Sequence, residues 1–142
     1  MASPNSSEGS STVRQLRVVV EAPDFEEAVA FFRDSLGLTE VAAFEGEGEA
    51  RVIILDAGRA TLELANPAQK SMIDRVEANG QPSQRIRLAF EVDDARSATA
   101  RLLEAGGRLV AEPTETPWRS LNSRIDAPAG LQMTLFEELG PE

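Results

Sequence analysis

The sequence predicts an α+β fold made of two tandem βαβββ modules, and a repeat, a recurring strand–helix–strand pattern and the chain length carry that prediction. Without a gap, at an offset of 70, "LRVVVEAPDFEEAVAFFRDSLGLTEV" lies on "IRLAFEVDDARSATARLLEAGGRLVA". Arg17/Arg87, Glu21/Glu91, Asp24/Asp94, Ala28/Ala98, Ala30/Ala100 and Gly37/Gly107 are identical pairs. Each copy runs from an apolar strand through an aspartate to an amphipathic helix and a glycine stop, then into further strand. A chain of 142 residues is long enough to bury a core shared by two such halves.

The elements follow in order. Residues 1–13 are polar and small and read as a disordered tail. The first module spans 14–66. It opens with "LRVVVE", whose β-branched run predicts a strand. Asp24 is then an N-cap, Glu26 and Glu27 suit the first helical turn, and Gly37 marks the C-terminal stop. Ala28, Phe31, Phe32 and Leu36 recur at helical spacing and should face a sheet. Strands follow near 38–44, 50–56 and 60–65, with "EGEGE" and "DAGRA" as turns. A connecting segment, 67–84, starts a short helix at Pro67. The second module, 85–139, repeats the plan: a strand at "IRLAFE", a helix from Asp94 to Gly106–Gly107, and strands near 108–112, 119–126 and 131–137.

Composition bounds the function by exclusion. A formal charge of −10 argues against nucleic acid and anionic membranes as partners. No apolar run is long enough for a membrane helix. The N-terminal stretch has no apolar core of a secretory signal, so a cytoplasmic location is expected. The chain has no cysteine and no histidine, which removes thiolate chemistry, imidazole bases and the commonest transition-metal ligand together. Tyrosine is absent too, so proton transfer would rest on carboxylates, Lys70 (the only lysine) or water.

Paired βαβββ modules with an "AVAFFRDSLGL" helix resemble the vicinal oxygen chelate superfamily, which includes glyoxalase I, extradiol dioxygenases and bleomycin-resistance proteins. "FFRDSLGL" is similar to the helix end of that superfamily, and "DAPAGLQMTLFE" to its closing strand. The resemblance covers about residues 14 to 138 and implies a curved mixed sheet around a central cleft, with helices outside. Metal-dependent members hold a divalent ion with four ligands, on the first and last strands of each module. Those positions fall here on Arg17, Glu63, Arg87 and Thr134. Only Glu63 matches a metal pattern, and two guanidiniums would repel a cation, so no metal and no cofactor is expected.

Strand alternation tests those positions independently. Leu16, Val18 and Val20 share one face of "LRVVVE", leaving Arg17 on the other, towards the cleft. The same parity turns Arg87, Glu63 and Thr134 inward. Two readings stand. In one, Arg17–Glu63–Arg87 is a salt-bridged cluster, with Glu63 taking a fork from each arginine and Glu21 and Glu91 balancing surplus charge. In the other, the arginines bind an anionic or carbonyl-bearing ligand. Further ligand-binding candidates are Trp118, Asn122 and Arg124. Trp118 is either a stacking surface, an interface anchor or a cap on the core. Asn122 and Arg124 either line the cavity or face solvent. Met72, Ile73 and Val76 give the connecting helix an apolar face, which packs on its own module or docks on a second subunit.

The expected function is a metal-independent glyoxalase- or bleomycin-resistance-like homodimer. It would bind a small, partly aromatic or anionic molecule, as in resistance by sequestration. The alternative is a metal-independent lyase or isomerase with Glu63 as base. It ranks second because a carboxylate beside two arginines should have a lowered pKa.

Overall fold

Alternating polar and apolar side chains lay all eight strands into one sheet, and their order displays the repeat in three dimensions. The computed structural model describes residues 12–141; the tail predicted over 1–13 lies outside the described residues as far as position 11. Strands β1 (Val13–Glu21), β2 (Thr39–Glu45), β3 (Arg51–Asp56) and β4 (Thr61–Ala65) make the first half. Strands β5 (Ile86–Val92), β6 (Arg108–Glu115), β7 (Ser120–Asp126) and β8 (Gln132–Glu138) make the second. The sheet order is β2-β3-β4-β1-β5-β8-β7-β6, so each half reads identically outward from the centre. The β1–β5 contact is antiparallel, and β1–β4 and β5–β8 are parallel. Val18 faces Leu88 across the central pair. These two residues are counterparts in the sequence repeat, so the pseudo-twofold axis passes between them.

One face of the curved sheet carries the apolar core in two parts. Phe25, Val29, Ile53, Leu55 and Leu64 fill the first half, and Val92, Ala95, Ala98, Ile125 and Leu135 the second. Helix α1 (Phe25–Val29) covers the first cluster. Asp24 caps it through the Glu27 amide at 3.0 Å, as expected of that aspartate. The helix then continues as a π-helical turn over Ala30–Ser35, closed by the Leu36 amide on the Phe31 carbonyl five residues back. That turn breaks the predicted spacing. Ala28 and Phe32 pack on the core, but Phe31 and Leu36, expected to face the sheet, are each 61% exposed. The wider π turn rotates them out of the stripe that a 3.6-residue period would have kept inside.

Helix α3 (Ala95–Glu104) covers the second cluster and is capped by Asp94 through the Ser97 amide at 3.0 Å. Helix α2 (Pro67–Ala78), capped by Asn66 with Pro67 in its first turn, lies against the opposite, concave face. It touches β3 and β4 of the first half and β6 and β7 of the second. Its apolar face, Met72, Ile73 and Val76, was expected to pack on its own module or dock on a second subunit. These are only half-buried, and the fully buried positions are Gln69, Asp74, Glu77 and Ala78. The concave face it meets is polar, so the helix presents carboxylates to it. None of the described helices is long and apolar enough to cross a membrane.

Candidate functional site

The concave face begins with the central strands. Arg17, Val19 and Glu21 of β1 point there, opposite Val18 and Val20, as alternation requires. Ladder register carries the same face onto neighbouring strands. Val19 pairs with Glu63 on β4 and with Arg87 on β5, and Ala89 pairs with Thr134 on β8. Thr134 in turn pairs with Arg124 on β7, and Phe136 with Asn122. Six of the seven residues picked from sequence, Arg17, Glu63, Arg87, Asn122, Arg124 and Thr134, therefore share one surface. Val19, Ala89 and Phe136 form its small apolar centre.

The seventh, Trp118, is elsewhere. It sits in the turn between β6 and β7, is 46% exposed, and does not line the central cleft. Hydrogen bonds from the Thr116 amide to the Ser120 carbonyl and from the Arg119 amide to the Thr116 carbonyl close that turn, with Arg119 in the left-handed region at φ 66. A tight hairpin at the sheet's edge holds the half-exposed indole outside the central cleft and outside the buried core clusters, unlike the stacking surface or core cap expected of it.

Only half of the expected cluster forms, the Arg17–Glu63 ion pair. Arg17 stands 3.8 Å from Glu63, outside hydrogen-bonding distance, and its Nε donates instead to Gln15 Oε1 at 2.7 Å. Its guanidinium lies over the Phe136 ring, 4.9 Å from the centroid, where cation–π attraction holds it. Arg87 makes its hydrogen bond elsewhere than Glu63. Its Nη1 donates to Thr134 Oγ1 at 2.8 Å and lies 4.0 Å from Glu77. Glu91 accepts from Gln15 rather than from either arginine.

Glu63, with a side chain 16% exposed, thus keeps Arg17 as an ion-pair partner at 3.8 Å but has no hydrogen bond from either arginine. Burial raises its pKa above the ordinary carboxylate value, against the lowering pull of Arg87 and Arg17 and with a further push from Glu77. This reverses the expectation of a lowered pKa. Desolvation outweighs the two cations because neither guanidinium hydrogen-bonds to the carboxylate.

The strongest polar cluster was not visible as such in the sequence. From α2, Asp74 and Glu77 enter the concave face of the second half, one helical turn apart. Arg124, with no exposed surface, donates through Nη1 to Asp74 Oδ1 at 2.7 Å and through Nε to Glu77 Oε1 at 2.9 Å. Its Nη2 lies 2.8 Å from Glu77 Oε1 but off the hydrogen-bonding line, and is otherwise without a described partner. Asn122 Nδ2 donates to Glu77 Oε2 at 2.7 Å, and Thr134 Oγ1 donates to Glu77 Oε1 at 2.6 Å. Asp74 also accepts from the Ser83 amide and from Lys70. Burial works against its charge, yet the hydrogen bonds from Arg124 and Ser83 hold its pKa below the ordinary value. Asn122 and Arg124 therefore face inward, not solvent. One signal did point to these partners: inward arginines at 87 and 124 need carboxylates, and Glu63 alone cannot serve both.

Beside α2 a narrow open cleft of about 10 Å³ remains, room for about one water, lined by Val19, Glu21, Glu63, Ala65, Lys70, Ile73, Arg85 and Arg87. Lys70, Arg85 and Arg87 stand against Glu21 and Glu63 in its lining, so the cleft carries one more basic than acidic side chain in a chain that is acidic overall.

The sequence profile of the glyoxalase-like domain matches residues 17–136. The chain belongs to the glyoxalase-like domain family. No curated protein sequence matches it. Solved structures of the same fold include methylmalonyl-CoA epimerase from Mycobacterium tuberculosis, with 24% identity and a TM-score of 0.62 over 94% of this chain and 93% of that one. A glyoxalase/bleomycin resistance protein/dioxygenase superfamily member from Vibrio splendidus has 14% identity and a TM-score of 0.60, over 87% of this chain and 98% of that one. A mutant of 4-hydroxymandelate synthase from Streptomyces coelicolor has 26% identity and a TM-score of 0.63 over 92% of this chain, which spans only 39% of that enzyme.

The four positions that bind a divalent metal in metal-dependent relatives do not fit one here. Two carry guanidiniums, which have no lone pair to donate. Thr134 Oγ1 is engaged by Glu77 and Arg87. Among the described residues, no group of three or more His, Cys, Asp or Glu side chains is placed to hold an ion.

Proposed function

We propose that this glyoxalase-like protein binds a small aromatic or apolar molecule by its carboxylate at the narrow cleft beside α2, using arginine where metal-dependent relatives use metal. The observation that carries the reading is Arg87. It is 8% exposed, lines the cleft, and has one hydrogen bond from its guanidinium among the described residues. A guanidinium has five N–H donors, and its fork matches a carboxylate. Val19, Ala65 and Ile73 supply apolar wall, and Arg85 and Lys70 add positive charge at the mouth. A protein that holds such a molecule tightly would act by sequestration, without turnover.

Benzoate is a suitable probe, with benzyl alcohol as its neutral control. Titration followed by amide NMR should shift Val19, Glu63 and Arg87 with benzoate and not with the alcohol, and Arg87→Met should abolish the difference. Equal responses to both compounds, or shifts confined to other surfaces, would refute the proposal.

A second reading has a specific observation behind it. The raised pKa of Glu63 moves it towards the range in which a carboxylate serves as a general base, which favours proton abstraction next to a carbonyl. Exchange of the methylene protons of phenylpyruvate in heavy water would reveal it. Exchange lost in Glu63→Gln, with benzoate binding retained, would make the protein an isomerase or lyase rather than a sequestering protein.

A further inference from the structure

Arg87 can anchor a ligand only if its guanidinium is held in one orientation, and the concave face contains a device that does so. This inference rests on the proposed binding role of Arg87. Thr134 Oγ1 has a single hydrogen, and it goes to Glu77 Oε1 at 2.6 Å, because a carboxylate oxygen only accepts. The hydroxyl's lone pair is then what remains for Arg87, whose Nη1 donates to it at 2.8 Å. Glu77 cannot swing away. Arg124 Nε at 2.9 Å and Asn122 Nδ2 at 2.7 Å hold its two oxygens, and Ser120 Oγ donates to Asn122 Oδ1 at 2.7 Å in turn. Every member from Ser120 to Thr134 is buried. The chain therefore has one polarity and one geometry, and it ends on Arg87 at the cleft wall.

We infer that Glu77 and Thr134 are positioning residues for Arg87. They fix which edge of its guanidinium faces the cleft and do not themselves touch the ligand. Thr134, expected from sequence to be a ligand contact, has its hydroxyl engaged on both sides and is 2% exposed. The arrangement also explains why the carboxylates of α2 are tolerated at this depth. They close a network in which charge-assisted hydrogen bonds are directional, and that direction is passed to Arg87, a cleft-lining arginine with uncommitted donors.

The test compares Thr134→Val, which keeps the side-chain shape and deletes the hydroxyl, with Thr134→Ser, which restores it. Two measurements are made on each: the benzoate dissociation constant, and the Arg87 Nε–Hε NMR signal, assigned by its absence in Arg87→Lys. Thr134→Val should weaken benzoate about tenfold, equivalent to about 1.4 kcal/mol. It should also move or broaden the Arg87 signal, while Thr134→Ser stays within about twofold of the parent. Should Thr134→Val fail to fold, Glu77→Gln takes its place. The glutamine amide would meet Asn122 donor to donor, so the same two changes are expected. An unaltered Arg87 signal and unaltered affinity in a folded variant would overturn the positioning role. If the parent protein does not bind benzoate at all, the binding proposal fails, and the relay is judged by the Arg87 signal alone.

Discussion

At the scale of single residues, Glu63 is the one held against its own preference. Its pKa is raised by burial even after Arg87 and Arg17 have lowered it, so ionising it in the folded protein costs stability. The sign follows. Stability from this site is fully present below the carboxyl's unfolded-state pKa, and is lost as pH rises through the higher folded value. Glu63→Gln should therefore melt several degrees higher than the parent at pH 7–8 by calorimetry, in the range about 1 kcal/mol produces in a chain of this size. The gap should close as the pH falls into the ordinary carboxylate range. A lower melting point at pH 7–8 would mean that Glu63 is a structural ion-pair partner after all. How far such a residue was legible is instructive. Period-two alternation placed Arg17, Glu63, Arg87 and Thr134 on one face correctly, since parity depends only on neighbours in the strand. Which of them would touch depended on Phe136 and Gln15 competing for Arg17 and on Thr134 competing for Arg87, and those contacts lie in tertiary packing.

At the scale of elements, α2 departs most from what its sequence suggested. Its apolar positions Met72, Ile73 and Val76 pointed to a greasy contact, but Asp74 and Glu77 take the buried side. The apolar residues were read against a generic core, whereas the surface facing this helix carries Arg124 and Asn122. Complementarity with a polar face cannot be read from one helix alone. The π turn of α1 is a similar case: Phe31 and Leu36 fit a 3.6-residue stripe, and only the observed hydrogen-bond pattern turns them outward. The energetic consequence of α2 is testable. Arg124→Met leaves Glu77 and Asp74 buried without their main cation, which should lower unfolding free energy by about 3–5 kcal/mol in urea titrations. Adding Glu77→Met should recover only part of that loss, because it removes one stranded carboxylate but leaves Asp74 without Arg124, and Asn122 and Thr134 without their acceptor. A loss under about 1 kcal/mol in the single variant would show that the cluster does not anchor the helix.

At the scale of the whole molecule, the duplicated sequence raises the question of whether its halves behave as one folding unit. Their cores are separate clusters, each under its own helix, which would permit independent melting. Three features oppose that. The central β1–β5 ladder runs from Val13 to Val92 and from Val20 to Ile86, so neither half has a free inner edge. Val19 from the first half packs with Ala89 and Phe136 from the second. Helix α2 follows the first half in sequence, yet inserts Asp74 and Glu77 among Arg124, Asn122 and Thr134 of the second. Unfolding either half would strand an arginine or a carboxylate in the interior of the other, a loss too large for a partly folded state to be populated. The chain should therefore unfold in one transition. Trp118, the only tryptophan, lies in the second half and reports on that half alone, while far-UV circular dichroism reports on both. The two signals should share one urea midpoint and one slope. Arg124→Met should shift both midpoints together, although the substitution lies wholly in the second half. A tryptophan midpoint that moved alone, with the dichroism curve splitting into two steps, would show that the halves are coupled only through the backbone ladder and that α2 does not weld them.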